Sequence, residues 1–350
     1  MWPPDEWVDE SGNPVVVFGR KTFDNGTTTN LFINVTGIND NGQICGHISF
    51  TRQNGSTGEL KSFLAAFRTV ATLEAPTLLG PGDVEVAVAP DGYRSPYAHS
   101  INYSGDVAGD IARVADSMRE AFVWPAGPNE IAPLPIQQQS GAPAVDCSAR
   151  AINDNGVVAG WMHVSGPGYI HAFVYDPAIK EGNATLDLTL RGGASKDGVL
   201  YGCAWDVNDY DDVVGFTTNP ASWCQQAFRY TDAGELVNLG FLTGKQLYAG
   251  GVASAINNQG QAVGMSYYVK TSTTTVFKQF LYTQECGMMD LWGLITNPQV
   301  EEADFNYSQQ YDGSSLHISN CADGYTFGRI CGRTYTSHRP YVLTPIPPSN

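Results

Sequence analysis

Short apolar runs recur along this chain, each broken by the same kind of polar corner. Residues 151–160 read AINDNGVVAG, 37–46 read GINDNGQICG and 255–264 read AINNQGQAVG. Looser copies are SINYSGDVAG at 100–109, DVNDYDDVVG at 206–215 and SNCADGYTFG at 319–328. In the clear copies an apolar run closes on Ile-Asn, a Gly/Asn/Asp corner follows, and an alternating run resumes. Asn and Asp bond their own backbone in turns and Gly supplies positive φ, so the pattern predicts a hairpin.

Two further landmarks follow each copy. An apolar–aromatic run appears as AAFR at 65, EAFVW at 120, HAFVY at 171, QAFRY at 226, KQFLY at 278 and RPYVL at 339. A Leu-rich run follows in most, as LLG at 78, PLPI at 133, LDLTL at 186, LVNLGFL at 236 and MMDLWGL at 288. Period-two alternation with β-branched and aromatic letters reads as strands, which gives four strands per unit.

The motif Asn falls at 39, 102, 153, 208, 257 and 320, so successive spacings are 63, 51, 55, 49 and 63 residues. Self-similarity at such a period marks a repeat architecture. Four antiparallel strands repeated radially predict an all-β fold, a six-bladed β-propeller. The last unit stops after PYVLTP, without a fourth strand of its own. A spare apolar run, Pro14 to Gly19 (PVVVFG), precedes the first unit. Pairing the two would close the ring and remove an open edge. The expected layout is an N-terminal extension over 1–13, one propeller domain over 14–346 and a tail over 347–350.

The xIN-xxG-xVxG pattern with a downstream HAF-aromatic run resembles the HAF repeat of predicted extracellular bacterial proteins. The fullest copy is Ala151-Ile152-Asn153 through Gly160, followed by His171-Ala172-Phe173. The resemblance covers about residues 30 to 345 and implies secretion and a propeller-like fold. It transfers no catalytic residue, because it describes a repeat and not an activity.

Composition narrows the partners. Charged residues are 15% of the chain, and the net charge of −16 with a pI near 4.6 argues against nucleic acid and anionic membranes. No apolar stretch reaches the length of a spanning helix. The opening MWPPDE lacks the basic head and apolar run of a signal peptide. Either the protein is cytosolic or it is a mature form whose leader is replaced by a start Met; the second is the expectation, an extracellular or periplasmic protein, and a monomer. Six Asn-x-Ser/Thr sequons (Asn25, Asn34, Asn54, Asn102, Asn183, Asn306) carry little weight in so Asn- and Thr-rich a chain. Seven cysteines form no CxxC pair and sit beside no zinc-spaced His, so a zinc site is disfavoured; Cys321 and Cys331 flank a hairpin-like segment and could pair.

The NDNG corner resembles a fragment of a calcium loop, but such a loop needs five or more oxygen ligands over twelve residues. A structural turn is the stronger reading, and no cofactor is expected. Only DVNDYDD, with Asp206, Asp209 and Asp211 beside Asp212, keeps calcium in play.

In a propeller the first strand of each blade lines the axis, so candidate chemistry is sought at one repeat address across all units. Two residues before the motif Ile stand Thr36, His99, Arg150, Trp205, Ser254 and, in the degenerate copy, His317. Two residues further upstream stand Asn34, Tyr97, Ser148, Cys203, Val252 and Ser315. A multivalent lectin would repeat its binding residues, whereas one axial pocket would vary them. His99, Arg150, His317 and Tyr97 are the catalytic candidates, and Trp205, Thr36, Ser254 and Asn34 the substrate-binding ones. Histidine supplies acid–base capacity, arginine an anion clamp and the aromatics a stacking surface.

Bland alternatives stand beside these. The histidines could bond water or backbone, Arg150 could pair with Asp206 in the adjoining unit, and Trp205 could be packing between units. His171 occupies a variable, mostly polar register and reads as solvent-facing. His163 would reach the pocket only if its loop folded inward. No GxSxG, HExxH or phosphate-binding Gly loop is present. The expected function is cofactor-independent acid–base chemistry, of lyase or isomerase type, on a glycan or small organic molecule. The alternatives are a non-catalytic glycan- or ligand-binding propeller and a protein-interaction scaffold.

Overall fold

The computed structural model describes residues 28–53, 60–69, 77–80, 87–88, 92–127, 131–138, 140–164, 170–179, 184–191, 201–218, 224–231, 233–242, 249–271, 274–296, 302, 305, 316–321, 326–333 and 340–345. Within them the chain is all-β and folds into six small sheets, each made of strands consecutive in sequence. The first sheet holds Thr28–Ile38, Ile44–Gln53, Leu60–Arg68 and Thr77–Gly80, with Ala87–Val88 added in parallel at its edge. The second holds Tyr93–Ile101, Val107–Arg113, Arg119–Trp124 and Ala132–Pro133; the third holds Cys147–Ile152, Val158–His163, Ile170–Tyr175 and Thr185–Asp187. The fourth holds Gly202–Val207, Val213–Thr218, Gln225–Tyr230 and Leu236–Gly240; the fifth holds Ala249–Ile256, Ala262–Thr271, Thr274–Thr283 and Gly287–Asp290.

The sixth sheet has three strands among the described residues, His317–Ile318, Ile330–Arg333 and Pro340–Leu343. It ends on the PYVL strand, as the repeat pattern expects. The run 14–19, the extension 1–13 and the tail 347–350 lie outside the described residues. The Leu-rich landmark is shorter as a strand than its letters suggest. In the third and fifth units the strand stops at Asp187 and Asp290, and a helical turn follows over Leu188–Arg191 and Trp292–Leu294.

The core lies between sheets, not within one. Five apolar clusters fill the five successive gaps, for example Val158, Met162 and Phe173 of the third sheet against Ala108 and Ala121 of the second. The Phe of the apolar–aromatic run, at Phe67, Phe122, Phe173, Phe228 and Phe280, is fully buried in every one of the first five sheets. Burying a Phe side chain stabilises by roughly 1.5–3 kcal/mol relative to exposure, so this register alone anchors each unit.

The Asn-containing corner serves two purposes. Inside its own turn, Asn153 Oδ1 accepts the backbone N–H groups of Asn155 (3.1 Å) and Val157 (2.9 Å). Outward, its Nδ2 donates to the carbonyl of Asn208 in the next turn at 2.7 Å. The same link recurs from Asn39 to Asn102 O (2.7 Å), Asn102 to Asn153 O (3.1 Å), Asn208 to Asn257 O (2.9 Å) and Asn257 to Ser319 O (3.0 Å). Six consecutive turns are thereby clasped side by side by five buried or half-buried amides. Asn102 is buried and committed to this chain of bonds, which removes it as a glycosylation site.

Candidate functional site: a bulge-borne arc of ionisable residues

The variable address two residues before the motif Ile has a structural origin. In each of the first five sheets the pairing of first and second strand slips by one residue there, between Val35 and Gly37, Ala98 and Ser100, Ala149 and Ala151, Ala204 and Asp206, and Ala253 and Ala255. The unpaired residues are Thr36, His99, Arg150, Trp205 and Ser254. A β-bulge re-aims one side chain and bends the strand, so each unit projects one variable residue. The motif glycine opposite is a steric consequence. A Cβ on Gly46, Gly109, Gly160 or Gly215 would lie 2.0 Å from the carbonyl oxygen of Asn34, Tyr97, Ser148 or Cys203, and on Gly264 2.1 Å from that of Val252.

First strands of consecutive sheets lie beside one another, which joins these residues into one arc. Asn34 Nδ2 donates to His47 Nε2 at 3.3 Å, and the His47 ring meets Tyr97 edge-on with centroids 4.9 Å apart. Tyr97 lies parallel to His99, with 6.4 Å between centroids. His99 Nε2 is 2.7 Å from Asp110 Oδ2, and the same oxygen accepts the Ser148 hydroxyl at 2.6 Å. Arg119 stands over Tyr97 with Cζ 5.5 Å from the ring centre, and its Nη1 lies 3.6 Å from Asp110 Oδ1. Arg150 continues the arc, its guanidinium 5.1 Å above the Trp205 ring.

Asp110 decides the proton positions. Burial pushes its carboxyl pKa up, but His99, the Ser148 hydroxyl and Arg119 together pull it below the ordinary range, so it is ionised. An ionised carboxylate only accepts, so His99 carries its proton on Nε2 and leaves the Nδ1 lone pair uncommitted. Burial pushes His99 down and Asp110 pulls it up, and with the charges of Arg150 and Arg119 on the side of burial the net shift is downward. His47 is lowered by burial and then by His99. Both imidazoles are therefore neutral at neutral pH. Ser148 donates to a carboxylate and not to a histidine, which leaves it unactivated as a nucleophile.

Five of the eight catalytic and substrate-binding candidates thus belong to the arc: Asn34, Tyr97, His99, Arg150 and Trp205. Thr36 sits on its bulge but spends its hydroxyl on the Ala98 carbonyl at 2.8 Å, and Ser254 is buried. His317 is displaced by one register. Ser319, not Asn320, takes the motif-Asn position: Arg329 N donates to its hydroxyl at 3.0 Å and Asn257 to its carbonyl. Ile318 pairs with Ile330 as Ile152 pairs with Val158, so Leu316, a buried residue, falls at the bulge address. His317 faces water, although the protein around its ring still lowers its pKa. Ser315 lies outside the described residues.

Other expectations are corrected. Arg150 does not pair with Asp206, whose carboxylate instead accepts the backbone N–H of Val207 (3.0 Å) and of Ile256 in the next sheet (2.9 Å). His171 is buried, not solvent-facing, and its Nδ1 lies 2.7 Å from Asp187 Oδ2. His163 lies next to Trp161, 5.7 Å between ring centroids. Cys321 and Cys331 are free thiols, Cys321 donating to Gln261 Oε1 at 3.5 Å. Asp209 and Asp211 are engaged by neighbouring turns, Asp209 by Asp154 N and Asn258, and Asp211 by Asn153 and Asn155. Among the described residues no group of three His, Cys, Asp or Glu side chains could hold a metal ion.

His47, Asp110 and Arg119 are additions from the structure. His47 and Asp110 share an address, one residue after the motif glycine, where the other units carry Trp161, Phe216 and Met265. That position faces the upstream variable residue across the ladder, as His47 faces Asn34 and Asp110 faces Tyr97.

No family model matches the chain, and no curated protein does. Among solved structures, the chain is similar to a PL25 polysaccharide lyase, an ulvan lyase bound to -[GlcA(1-4)Rha3S]-, at 12% identity and a TM-score of 0.39, covering 94% of this chain and 81% of that one. At that score the likeness carries no argument about fold or activity. Among the described residues no helix is long and apolar enough to cross a membrane.

Proposed function

We propose that this chain is a six-bladed β-propeller of the HAF-repeat kind whose axial pocket performs acid–base catalysis of lyase or isomerase type on a glycan or small organic substrate. The observation that carries this reading is the pair of neutral histidines placed on either side of Tyr97, one of them held in a single tautomer by Asp110. Proton abstraction from carbon needs an unprotonated base at working pH and a separate donor for the oxygen that receives charge. His99 Nδ1 is the base, the Tyr97 hydroxyl the donor, and Arg119 and Arg150 stabilise the negative charge that develops between them. His47 holds the Tyr97 ring from its edge. Ring closure through the run 14–19 and secretion complete this reading; the repeat resemblance supports the second.

The test is turnover on a panel of soluble glycans, followed by chromatography of products, for the parent protein and for His99→Ala and Tyr97→Phe. Both variants should stay folded and lose about 10²- to 10⁴-fold in rate. Undiminished turnover in both would remove the arc from catalysis.

A further inference from the structure

The described arginines differ in how their charge is met. Arg68 donates to the carbonyls of Trp124, Pro125 and Ala126 and stacks on Trp124. Arg113 is met by Asp116 and Glu120, Arg119 by Asp110 and Arg229 by Asp212. Arg150 is half-buried, as Arg113, Arg119 and Arg229 are, but among the described residues no carboxylate lies within ion-pair reach of it and none of its N–H groups donates to a protein acceptor. Its Nε is fully screened from solvent without a partner, and so is the indole Nε1 of Trp205, over which the guanidinium is laid. Trp124 Nε1 and Arg229 Nε are screened in the same way, but there the arginine Nη groups are met by carbonyls or a carboxylate; those of Arg150 are not, in a protein whose formal charge is −16. A half-buried polar donor left without an acceptor is costly, and a planar guanidinium matches a carboxylate in two parallel hydrogen bonds.

We infer that the Arg150 guanidinium, seated on the Trp205 ring, binds the carboxylate of an acidic sugar through its Nη groups, so that the substrate of the arc is a uronate-containing glycan. The inference rests on the acid–base reading above and supplies its missing element, the group that makes a sugar C–H acidic enough to lose. With the carboxylate on Arg150, the proton on the adjacent ring carbon is offered to His99, which holds the same bulge address on the neighbouring first strand. His99 Nδ1 takes that proton. The C–H electron pair becomes the C4=C5 double bond, the bond from C4 to the glycosidic oxygen breaks, and that oxygen takes the Tyr97 proton. The product pair is an unsaturated uronate and a shortened glycan, with no water consumed and no external reductant or oxidant required.

Calorimetric and NMR titration with sodium glucuronate, with methyl glucoside as the uncharged control, tests the site without requiring turnover. The parent protein should bind glucuronate and bind methyl glucoside at least about tenfold more weakly. Arg150→Ala should lose glucuronate by about tenfold or more, the size of one charge-assisted pair. Arg150→Lys, which retains charge and packing without the planar fork, should recover part of the loss, and Trp205→Phe should weaken binding while leaving the fold intact. Equal binding of the two sugars, or unchanged binding in Arg150→Ala and Arg150→Lys, would overturn the assignment. Glucuronate held through Arg150 with no conversion of any uronate polymer would leave the site standing and sink the catalytic reading. Conversion of neutral glycans with no glucuronate binding would do the reverse.

Discussion

His99 Nε2 lies 2.7 Å from Asp110 Oδ2, joining a bulge residue of one strand to the strand paired with it. The carboxylate is itself pinned by Ser148 of the next sheet, so the imidazole is fixed by two units of the repeat. Replacing Asp110 by Asn substitutes an amide that can present either its oxygen or its NH₂ to the ring and so releases the tautomer. His99 in the parent should show Nε2–H and a bare Nδ1 in imidazole nitrogen NMR spectra, and Asp110→Asn a mixture, with a fall in rate of about 10²-fold or more. A parent spectrum showing Nδ1–H would refute the assignment of the base.

The histidines also set a pH window. His47, His99 and His317 have folded-state pKa values below 6.5, so the unfolded chain binds more protons than the native one as pH falls through that value. Their contribution to stability is present above pH 6.5 and lost below it. Asp206 has the opposite sign. Burial pushes its pKa up to about 7 against the pull of two backbone N–H groups, so its contribution is full below its unfolded value of 3.8 and is lost as pH rises through about 7. Melting temperature followed across pH 4–9 should therefore pass through a maximum, and Asp206→Ala should flatten the alkaline side of it.

The turn clasp gives a stability prediction. Asn153→Ala removes an acceptor for two backbone N–H groups and a donor to the next turn, in a buried setting. A loss of about 2–4 kcal/mol in denaturant unfolding is expected. Asn153→Asp keeps the acceptor but sets a carboxylate against the Asn208 carbonyl and Asp211, and should recover only part of it.

The bulge and its glycine should fail together. Gly160→Ala drives a methyl group to 2.0 Å from the Ser148 carbonyl, so it should unfold the third sheet or reset its register. Gly127→Ala meets nothing within 4 Å and should be neutral within about 0.5 kcal/mol in thermal unfolding. Equal tolerance of both changes would contradict the close approach.

Much of the frame is legible in the letters, because the Asn corner, the alternation and the buried Phe are imposed by geometry that the first five units repeat. The bulge address was legible for the opposite reason: Thr36, His99, Arg150, Trp205 and Ser254 differ where their surroundings do not. His47 and Asp110 follow the same logic one residue after the motif glycine, but their importance depends on cross-strand pairing with Asn34 and Tyr97, which the apolar pattern of the second strand does not announce. The sixth unit misled because a serine hydroxyl replaces the asparagine amide as the turn's acceptor, shifting His317 off the bulge. The burial of His171 depends on Asp187, sixteen residues on, and no local pattern announces such a partner.

The most direct measurement of the central claim is digestion of a uronate-containing polysaccharide in isotopically labelled water, read by ultraviolet absorbance and mass spectrometry. The account predicts chain ends that absorb as conjugated unsaturated uronates, no oxygen taken from solvent, and loss of that signal in His99→Ala and Arg150→Ala. Incorporation of solvent oxygen without the absorbance, or no cleavage of any uronate polymer by the folded protein, would contradict it.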